Sequence, residues 1–206
     1  MLIDFKELFP KYSIKPTGIL HIGANVGEEF NTYMDLGVTA QIWIEANPSI
    51  YEKLKSNISS NPNAMAINCA IGDVDSVPVI LHESNNAGQS SSILELGTHK
   101  EQHPDVHYVR DIPINMRRID CLISEEVIKN YDFLNIDIQG FEGQALIGIE
   151  AYLKYFKWVY LEVNRAEVYK DCWLVDKIDA FLSYHGFERV VTKWVGNWGD
   201  ALYIKQ

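Results

Sequence analysis

Short apolar runs alternate with amphipathic stretches along most of the chain. The run at residues 18–22 ends at a glycine, and apolar residues at helical spacing follow it as far as Gly37. A second run, residues 41–45, precedes Asn47-Pro48, which combines a helix N-cap with proline at the first helical position. Residues 64–70 form a third run. Strands that alternate with helices at this spacing predict a parallel sheet with right-handed crossovers.

The middle of the chain is less regular. Residues 76–82 and 106–114 are predicted strands, and a polar loop over residues 83–104 separates them. The loop is long for a compact domain, and long ordered loops are more often functional than idle. Its Ser-rich part, Gln89 to Ser92, is our candidate for a lid or an acceptor contact.

The last third of the chain predicts how the sheet ends. Residues 131–138 form a strand, a helix begins at Phe141, and a second strand and helix follow. Residues 186–194 and 200–205 are then joined by Gly-Asn-Trp-Gly, which predicts an antiparallel hairpin. A parallel sheet that is finished by such a hairpin is the arrangement of class I methyltransferases.

We therefore expect one α/β domain over residues 1–206. Its fold is a Rossmann-like class I methyltransferase fold, with a mostly parallel seven-stranded sheet and a C-terminal antiparallel hairpin. Residues 1–16 are expected to form an N-terminal extension of this domain.

Composition narrows the choice of partners and compartment. The net charge of −10 and the lack of a long Lys/Arg run argue against nucleic-acid binding. No stretch approaches the roughly 20 apolar residues of a membrane span, and residues 1–16 do not have the pattern of a signal peptide. The three cysteines lack CxxC spacing, which is typical of reduced thiols. We expect a cytoplasmic protein that binds neither nucleic acid nor membrane.

The stretch HIGANVGEEF, residues 21–30, has the form of a ligand-binding turn between a strand and a helix. A dinucleotide-binding turn has the pattern G-x-G-x-x-G, whereas Asn25 and Glu28 occupy the second and third glycine positions here. Glu28 and Glu29 would repel a pyrophosphate but suit the sulfonium cation of S-adenosylmethionine. The turn favours that cofactor, although a plain strand-to-helix turn explains it equally well.

Glu45 strengthens the case for a nucleoside ligand because it ends the second predicted strand. A carboxylate there can accept hydrogen bonds from both ribose hydroxyls of NAD or of S-adenosylmethionine. The carboxyl ends of parallel strands meet at one sheet edge, which brings together our candidate cofactor-binding residues: Gly23, Ala24, Asn25, Gly27, Glu45, Ala46, Asn47, Ala70, Ile71 and Asp137.

Residues 135–142, Asn-Ile-Asp-Ile-Gln-Gly-Phe-Glu, place one carboxylate at the end of a strand and another on a new helix. Asp137 is expected to be functional, since an unpaired buried charge is costly. For Glu142, complementing the helix N-terminus is an equally good explanation.

At this point the chain resembles the FkbM-like S-adenosylmethionine-dependent methyltransferases over roughly residues 17–205. The matching features are GANVG (23–27), Glu45 with Asn47-Pro48, Gln89 to Ser92, Arg118-Ile119-Asp120, IDIQGFE (136–142), Gly148 and Glu162. The resemblance implies methylation of a hydroxyl on a sugar or secondary metabolite. It also implies that S-adenosylmethionine is held at the positions of Gly23 to Gly27, Glu45 and Asp137.

The chain departs from the family pattern at several positions. His21 stands where an acid is common, and Ile44 and Ala46 flank Glu45 in place of Phe and Pro. Asn135 and Gln139 replace the lysine and glutamate that often flank the position of Asp137. The change at 139 leaves open which residue is the catalytic base, and our candidates in order are Asp137, Glu142 and His21.

The sequence therefore predicts an S-adenosylmethionine-dependent O-methyltransferase with a small-molecule or glycan acceptor. The alternatives are an NAD-dependent oxidoreductase and a methyltransferase-fold binding protein without activity. We predict no metal, because Pro104 interrupts the helix on which His99, His103 and His107 would share a face. Trp194 and Trp198, beside the hairpin turn, are candidates for an acceptor or partner surface.

Overall fold

The computed structural model describes residues 1–206 and contains ten strands in two sheets. The strands are β1 (Gly18–Ile22), β2 (Ala40–Glu45), β3 (Ala64–Asn68), β4 (Ala70–Ile71), β5 (Val77–Ser84), β6 (Tyr108–Arg117), β7 (Phe133–Ile136), β8 (Trp158–Asn164), β9 (Phe187–Val195) and β10 (Trp198–Lys205). The helices are α1 (Phe5–Lys11), α2 (Phe30–Asp35), α3 (Pro48–Asn57), α4 (His99–Gln102), α5 (Ile119–Leu122), α6 (Glu125–Ile128), α7 (Glu142–Ile149) and α8 (Val175–Tyr184), and a 3-10 helix covers Glu150–Tyr155.

The larger sheet has seven strands in the order β3-β2-β1-β7-β8-β10-β9. Its strands are parallel except for the β9–β10 hairpin, whose strand β10 pairs antiparallel with β8. Every residue of β1 and of β7 is buried, as expected for central strands that are covered on both faces. The predicted fold class is confirmed. No helix is long and apolar enough to span a membrane.

The irregular middle of the chain forms a second, three-stranded sheet in the order β4-β6-β5. The two strands predicted there exist, and β5 pairs antiparallel with β6. The predicted third strand over residues 64–70 was too long, because β3 ends at Asn68 and the next residues leave to pair with β6. Ala70, Ile71 and Leu81 of the second sheet line one side of the site described below.

The helix after the glycine turn begins later than the apolar spacing indicates. Asn25 and Gly27 have positive φ angles of 46° and 79°, so residues 23–29 form a turn, and α2 begins at Phe30. Gly37 (φ 80°) follows the end of α2, as predicted for its C-terminal glycine.

Helix α1, within the predicted N-terminal extension, packs tightly against one face of the large sheet. The Phe5 ring lies 4.9 Å from that of Tyr160, and the Phe9 ring lies 5.1 Å from that of Phe133. All four side chains are almost fully buried. Burying a phenylalanine side chain is worth about 1.5–3 kcal/mol, so α1 contributes substantially to the core on this face.

Arg118 and Gly148, which both belong to the family resemblance, hold the segment that follows β4 in place. The guanidinium of Arg118 forms two hydrogen bonds with Asp120, at 3.0 and 2.6 Å, and donates another to the carbonyl oxygen of Asp73. Gly148 lets α7 approach the same segment, because a Cβ at this position would collide with the carbonyl oxygen of Gly72. Together these contacts fix the position of residues 72 and 73, directly after β4.

Candidate active site

The carboxyl ends of β1, β2, β7 and β8 open into a cleft of about 390 Å³. The register of the parallel strands determines which residues form its floor, because Ile22 of β1 pairs with Ile44 of β2 on one side and with Ile136 of β7 on the other. The residues that follow these three therefore lie side by side at one edge of the sheet, which is where open α/β sheets bind their ligands.

The glycine turn begins at Gly23, whose backbone N–H and that of Ala24 donate to the carbonyl oxygen of Ile44. A Cβ at Gly23 (φ 83°) would collide with the carbonyl oxygen of Asp137 on the neighbouring strand. The position therefore needs glycine both for its backbone angle and for this close approach. Asn25 continues the turn, and its N–H points to Glu45.

Glu45 is held in one orientation by the backbone. Its Oε2 accepts a hydrogen bond from Asn25 N at 2.8 Å, and its Oε1 accepts one from Asn47 N at 2.7 Å. The side chain is 8% exposed and lines the cleft, and burial raises the pKa of its carboxyl group to about 7. The remaining lone pairs can accept hydrogen bonds from two ligand hydroxyls.

Most of the predicted cofactor-binding residues line this cleft, and two support it from outside. Those that line it are Gly23, Ala24, Asn25, Glu45, Ala46, Ala70, Ile71 and Asp137. Asn47 is not among the lining residues: its Oδ1 accepts from Ser49 N to cap α3, as the sequence indicates. Gly27 likewise shapes the turn without lining the cleft.

Asp137 follows β7 at the centre of the cleft. Its Oδ1 accepts a 2.5 Å hydrogen bond from Gln139 Nε2, and its Oδ2 has no hydrogen-bond partner in the protein. Burial, reinforced by the negative charge of Asp200, raises the pKa of Asp137 to about 6. The unpartnered oxygen can therefore accept a proton near neutral pH.

Gln139, where the family often has a glutamate, connects four groups around the cleft. Its Nε2 donates to both Asp137 Oδ1 and Glu162 Oε2 (3.2 Å), and its Oε1 accepts from the Tyr169 hydroxyl at 2.6 Å. Its backbone carbonyl accepts from Ser92 Oγ at 2.7 Å. A glutamine can bridge two carboxylates in this way, because its amide supplies two N–H donors.

Glu142 does not line the cleft, which argues against its predicted role as a catalytic base. Its Oε1 accepts hydrogen bonds from Ile138 N and Gly140 N, at 3.0 and 3.2 Å. Burial raises the pKa of its carboxyl group to about 7. Glu142 therefore holds the turn after β7, which carries Asp137 and Gln139.

His21 is among the residues that line the floor of the cleft, although it is only 2% exposed. Its Nδ1 is 3.3 Å from the Tyr33 hydroxyl, and its Nε2 is 3.2 Å from Nδ2 of Asn135, its neighbour on β7. Burial lowers the pKa of His21 to about 3, so it is too weak a base for the role that the sequence suggested. The two residues that depart from the family pattern at positions 21 and 135 are therefore hydrogen-bond partners, with the Asn135 amide as donor to Nε2 of His21.

The long polar loop forms one wall of the cleft. Residues 89–92 all line it, and the Ser92 contact with the backbone of Gln139 anchors them to the turn after β7. His99, on α4, is 5% exposed: its Nε2 is 3.2 Å from Ser90 Oγ, and its Nδ1 has no partner. The sequence pattern indicated that the three histidines are incidental, yet His99 and His103 both line the cleft. No group of three or more His, Cys, Asp or Glu side chains is placed to hold a metal ion.

Tyr169 and Trp198 contribute two aromatic side chains to the lining of the cleft, near the wall that the long loop forms. Of the two tryptophans singled out in the sequence, Trp198 lines the cleft, whereas Trp194 lies outside it with the Arg165 guanidinium 3.8 Å above its ring. The sequence does not predict Tyr169 as a site residue, because Tyr169 lies in an irregular segment between β8 and α8 that carries no periodic pattern. Glu162 was noted only through the resemblance, although its place in β8 resembles that of Glu45 in β2.

Comparison with known proteins agrees with this geometry. Residues 21–189 match the model of the methyltransferase FkbM domain. The chain belongs to the FkbM methyltransferase family. The resemblance found in the sequence is confirmed, and the oxidoreductase alternative has no support from the family. One curated relative is the 2-O-methyltransferase NoeI of Sinorhizobium fredii, which is 26% identical over 159 residues. The match covers 74% of the present chain and 65% of NoeI, so the chain spans slightly less than two thirds of that relative.

Solved structures of other methyltransferases share the fold over the full length of the chain. A SAM-dependent methyltransferase from Aquifex aeolicus is 11% identical, with a TM-score of 0.53, and the match covers 100% of this chain and 91% of that one. Sp1610 of Streptococcus pneumoniae, a putative tRNA (m1A22) methyltransferase, is 10% identical, with a TM-score of 0.57 and coverage of 100% and 71%. These likenesses support the fold.

Proposed function

We propose that the protein transfers a methyl group from S-adenosylmethionine to a hydroxyl group of a sugar or secondary-metabolite acceptor. The observation that carries this proposal is the placement of Glu45 and Asp137 in one cleft, at the ends of the two strands that flank β1, on either side of the Gly23 turn. Family membership supplies the reaction class, and these residues supply a place for the cofactor and for a proton acceptor.

The residues along the β1 and β2 side of the cleft fit the cofactor. Glu45 offers fixed carboxylate oxygens for the ribose hydroxyls, and the Gly23 turn allows backbone to approach the ligand closely. The side chains of Ala70 and Ile71 provide an apolar wall for a base. When bound, S-adenosylmethionine supplies a methyl group activated by a positively charged sulfur.

Asp137 is the residue that we assign to the acceptor hydroxyl. Its free Oδ2 can accept the hydroxyl proton as the oxygen–methyl bond forms and the sulfur–methyl bond breaks. Gln139 holds Oδ1 and thereby fixes which oxygen faces the cleft. Orienting two reactants in this way can supply roughly 7–11 kcal/mol of the barrier, so alignment is the larger part of the proposed catalysis.

The acceptor is proposed to be a small molecule or glycan, and not a nucleic acid. The relative NoeI is a 2-O-methyltransferase by name, which agrees with transfer to oxygen. The chain's net charge of −10 disfavours a polyphosphate partner.

Incubation with S-adenosylmethionine that carries a labelled methyl group, and with a panel of monosaccharides and their glycosides, tests this function. We expect label in the acceptor and release of an equal amount of S-adenosylhomocysteine. If S-adenosylhomocysteine binds but no hydroxyl compound is ever labelled, the protein is instead a binding protein with a methyltransferase fold.

A further inference from the structure

The cleft is strongly one-sided in charge. Six of its lining residues are acidic and none is Lys or Arg, although the chain has 18 Lys and Arg residues in total. The N-terminal amino group of Met1, another lining residue, supplies one positive charge, which opposes the rise in the pKa of Asp137. The six are Glu28, Glu29, Glu45, Asp137, Glu162 and Asp200. Glu45 is assigned to the ribose of the cofactor, which leaves the carboxylates at the opposite end of the cleft without an assigned ligand.

Glu162 and Asp200 lie at that opposite end, on the β8 and β10 side of Asp137. They occupy paired positions of the two strands, and both are almost fully buried. Neither forms an ion pair in the protein. Glu162 accepts hydrogen bonds only from the side-chain amides of Gln139 and Asn164, at 3.2 and 3.4 Å. Asp200 accepts from the Tyr160 hydroxyl at 2.6 Å and from Leu2 N at 2.5 Å.

Buried carboxylates that lack a cation are costly to ionise. Burial, together with the charges of Asp137, Glu142 and Asp200, raises the pKa of Glu162 well above its usual range. A positively charged group that enters the cleft would relieve this repulsion, whereas a negatively charged group would add to it.

The same end of the cleft is built for a polar ring. Tyr169 and Trp198 offer aromatic surface, on which a cation or a ring face can lie. His99 adds a buried nitrogen, Nδ1, that has no hydrogen-bond partner in the protein. Few buried polar atoms in folded proteins lack a partner, and each such atom calls for an explanation. A ligand hydroxyl or amine beside His99 would provide one.

We infer that the acceptor carries a protonated amine close to the hydroxyl that is methylated, as an amino sugar or an amino alcohol does. Glu162 and Asp200 hold the ammonium group, and Trp198 and Tyr169 flank the ring. Acceptors with a phosphate, sulfate or carboxylate near the reacting hydroxyl are excluded. This inference rests on the proposed methyltransferase function, and it narrows the acceptor class.

Binding of matched sugars to the full chain saturated with S-adenosylhomocysteine tests the inference. The probes are the methyl glycosides of glucosamine, glucose and glucuronic acid, which have the same ring and differ in charge, titrated calorimetrically at pH 7. We expect the glucosamine glycoside to bind at least tenfold more tightly than the glucose glycoside, and the glucuronide to bind most weakly. Binding of the glucosamine glycoside no tighter than that of the glucose glycoside would overturn the inference.

Variants at the two carboxylates locate the charge effect. Glu162→Gln and Asp200→Asn, made separately, keep size and hydrogen-bonding atoms, and each should reduce the advantage of the amine. The control is Glu52→Gln, because Glu52 lies on α3 outside the cleft with its side chain 66% exposed. S-Adenosylhomocysteine affinity and melting temperature, measured on each variant, show that fold and cofactor site persist. If both cleft variants fold and still prefer the amine as strongly as the unmutated chain does, the inference is contradicted and the methyltransferase proposal is not affected. If the unmutated chain does not bind S-adenosylhomocysteine at all, the methyltransferase proposal itself is contradicted.

Discussion

The side-chain amide of Gln139 donates a 2.5 Å hydrogen bond to Oδ1 of Asp137. This contact stabilises the ionised form of Asp137 and opposes the rise in pKa that burial causes. Because a general base must be ionised to act, the Gln139 amide keeps Asp137 competent at lower pH than it would otherwise be.

Gln139→Leu should therefore shift the pH dependence of turnover. In the unmutated protein, activity is expected to fall as pH drops through about 6, where Asp137 becomes protonated. A hydrogen bond to a charged group is worth about 1.5–3 kcal/mol, and roughly 1.4 kcal/mol corresponds to one pKa unit. The acid limb of the pH–rate profile should move upward by about one unit or more. A profile that keeps its acid limb in place would show that Gln139 does not control this titration.

Asp137→Asn removes the proton acceptor while it keeps size and polarity. Turnover should fall by roughly 10²–10⁴ if Asp137 is the base, and the fold should survive. Rates are measured at saturating cofactor, with circular dichroism and melting temperature as controls for folding. Near-normal turnover would contradict the assignment.

The same substitution should separate the charged cofactor from its neutral product. S-Adenosylmethionine is positively charged at sulfur and S-adenosylhomocysteine is not, so a carboxylate beside the sulfur contributes to binding of the first alone. Asp137→Asn should raise the Kd of S-adenosylmethionine by roughly tenfold more than that of S-adenosylhomocysteine, which corresponds to about 1.4 kcal/mol. Equal losses for both ligands would place Asp137 away from the sulfur.

Glu142 gives the fold a pH dependence of its own. Its pKa is raised to about 7 in the folded protein, against 4.5 for an unperturbed glutamate. Between these values the folded state holds a proton that the unfolded state has released, so the stability from this group is fully present below about 4.5 and is lost as pH rises through about 7.

Glu142→Gln tests this pH dependence, because it keeps an acceptor for Ile138 N and Gly140 N but does not titrate. The melting temperature of the variant should fall less between about pH 5 and about pH 7.5 than that of the unmutated protein. Glu52→Gln, the exposed control, should leave the slope unchanged. Equal slopes in the Glu142→Gln variant and the unmutated protein would contradict the account.

Much of the fold could be predicted from the sequence because its signals are local. The apolar runs at residues 18–22 and 41–45, the Asn47-Pro48 helix start and the terminal hairpin all place elements correctly. The second sheet could not be foreseen, because the pairing of β4 with β6 joins residues more than 40 positions apart, and no local pattern specifies such a partner. The late start of α2 had a local cause, the left-handed backbone of Asn25, but asparagine only favours that conformation and does not require it.

The candidate site was predictable to the extent that strand ends determine it. Glu45 and Asp137 lie at the ends of strands of one sheet, so the sheet alone brings them to one edge. The direction of a side chain is not fixed by its position in sequence. Glu142 folds back onto backbone N–H groups, and the buried ring of His21 is a hydrogen-bond partner of Asn135. His99 reaches the cleft because its loop packs against the segment around Val168, whose carbonyl oxygen accepts a hydrogen bond from His99 N, and the sequence does not show this contact.

The most direct test of the central claim is a calorimetric titration of the unmutated chain and of Glu45→Ala with S-adenosylhomocysteine, with NADH as the comparison ligand. We predict binding of S-adenosylhomocysteine by the unmutated chain and no binding of NADH. Loss of hydrogen bonds to two ribose hydroxyls, each worth about 0.5–1.5 kcal/mol, should weaken the affinity of Glu45→Ala by roughly 5- to 150-fold. Glu52→Ala, which removes an exposed carboxylate outside the cleft, should bind as the unmutated chain does. An unmutated chain that binds NADH, or that does not bind S-adenosylhomocysteine, would contradict the account.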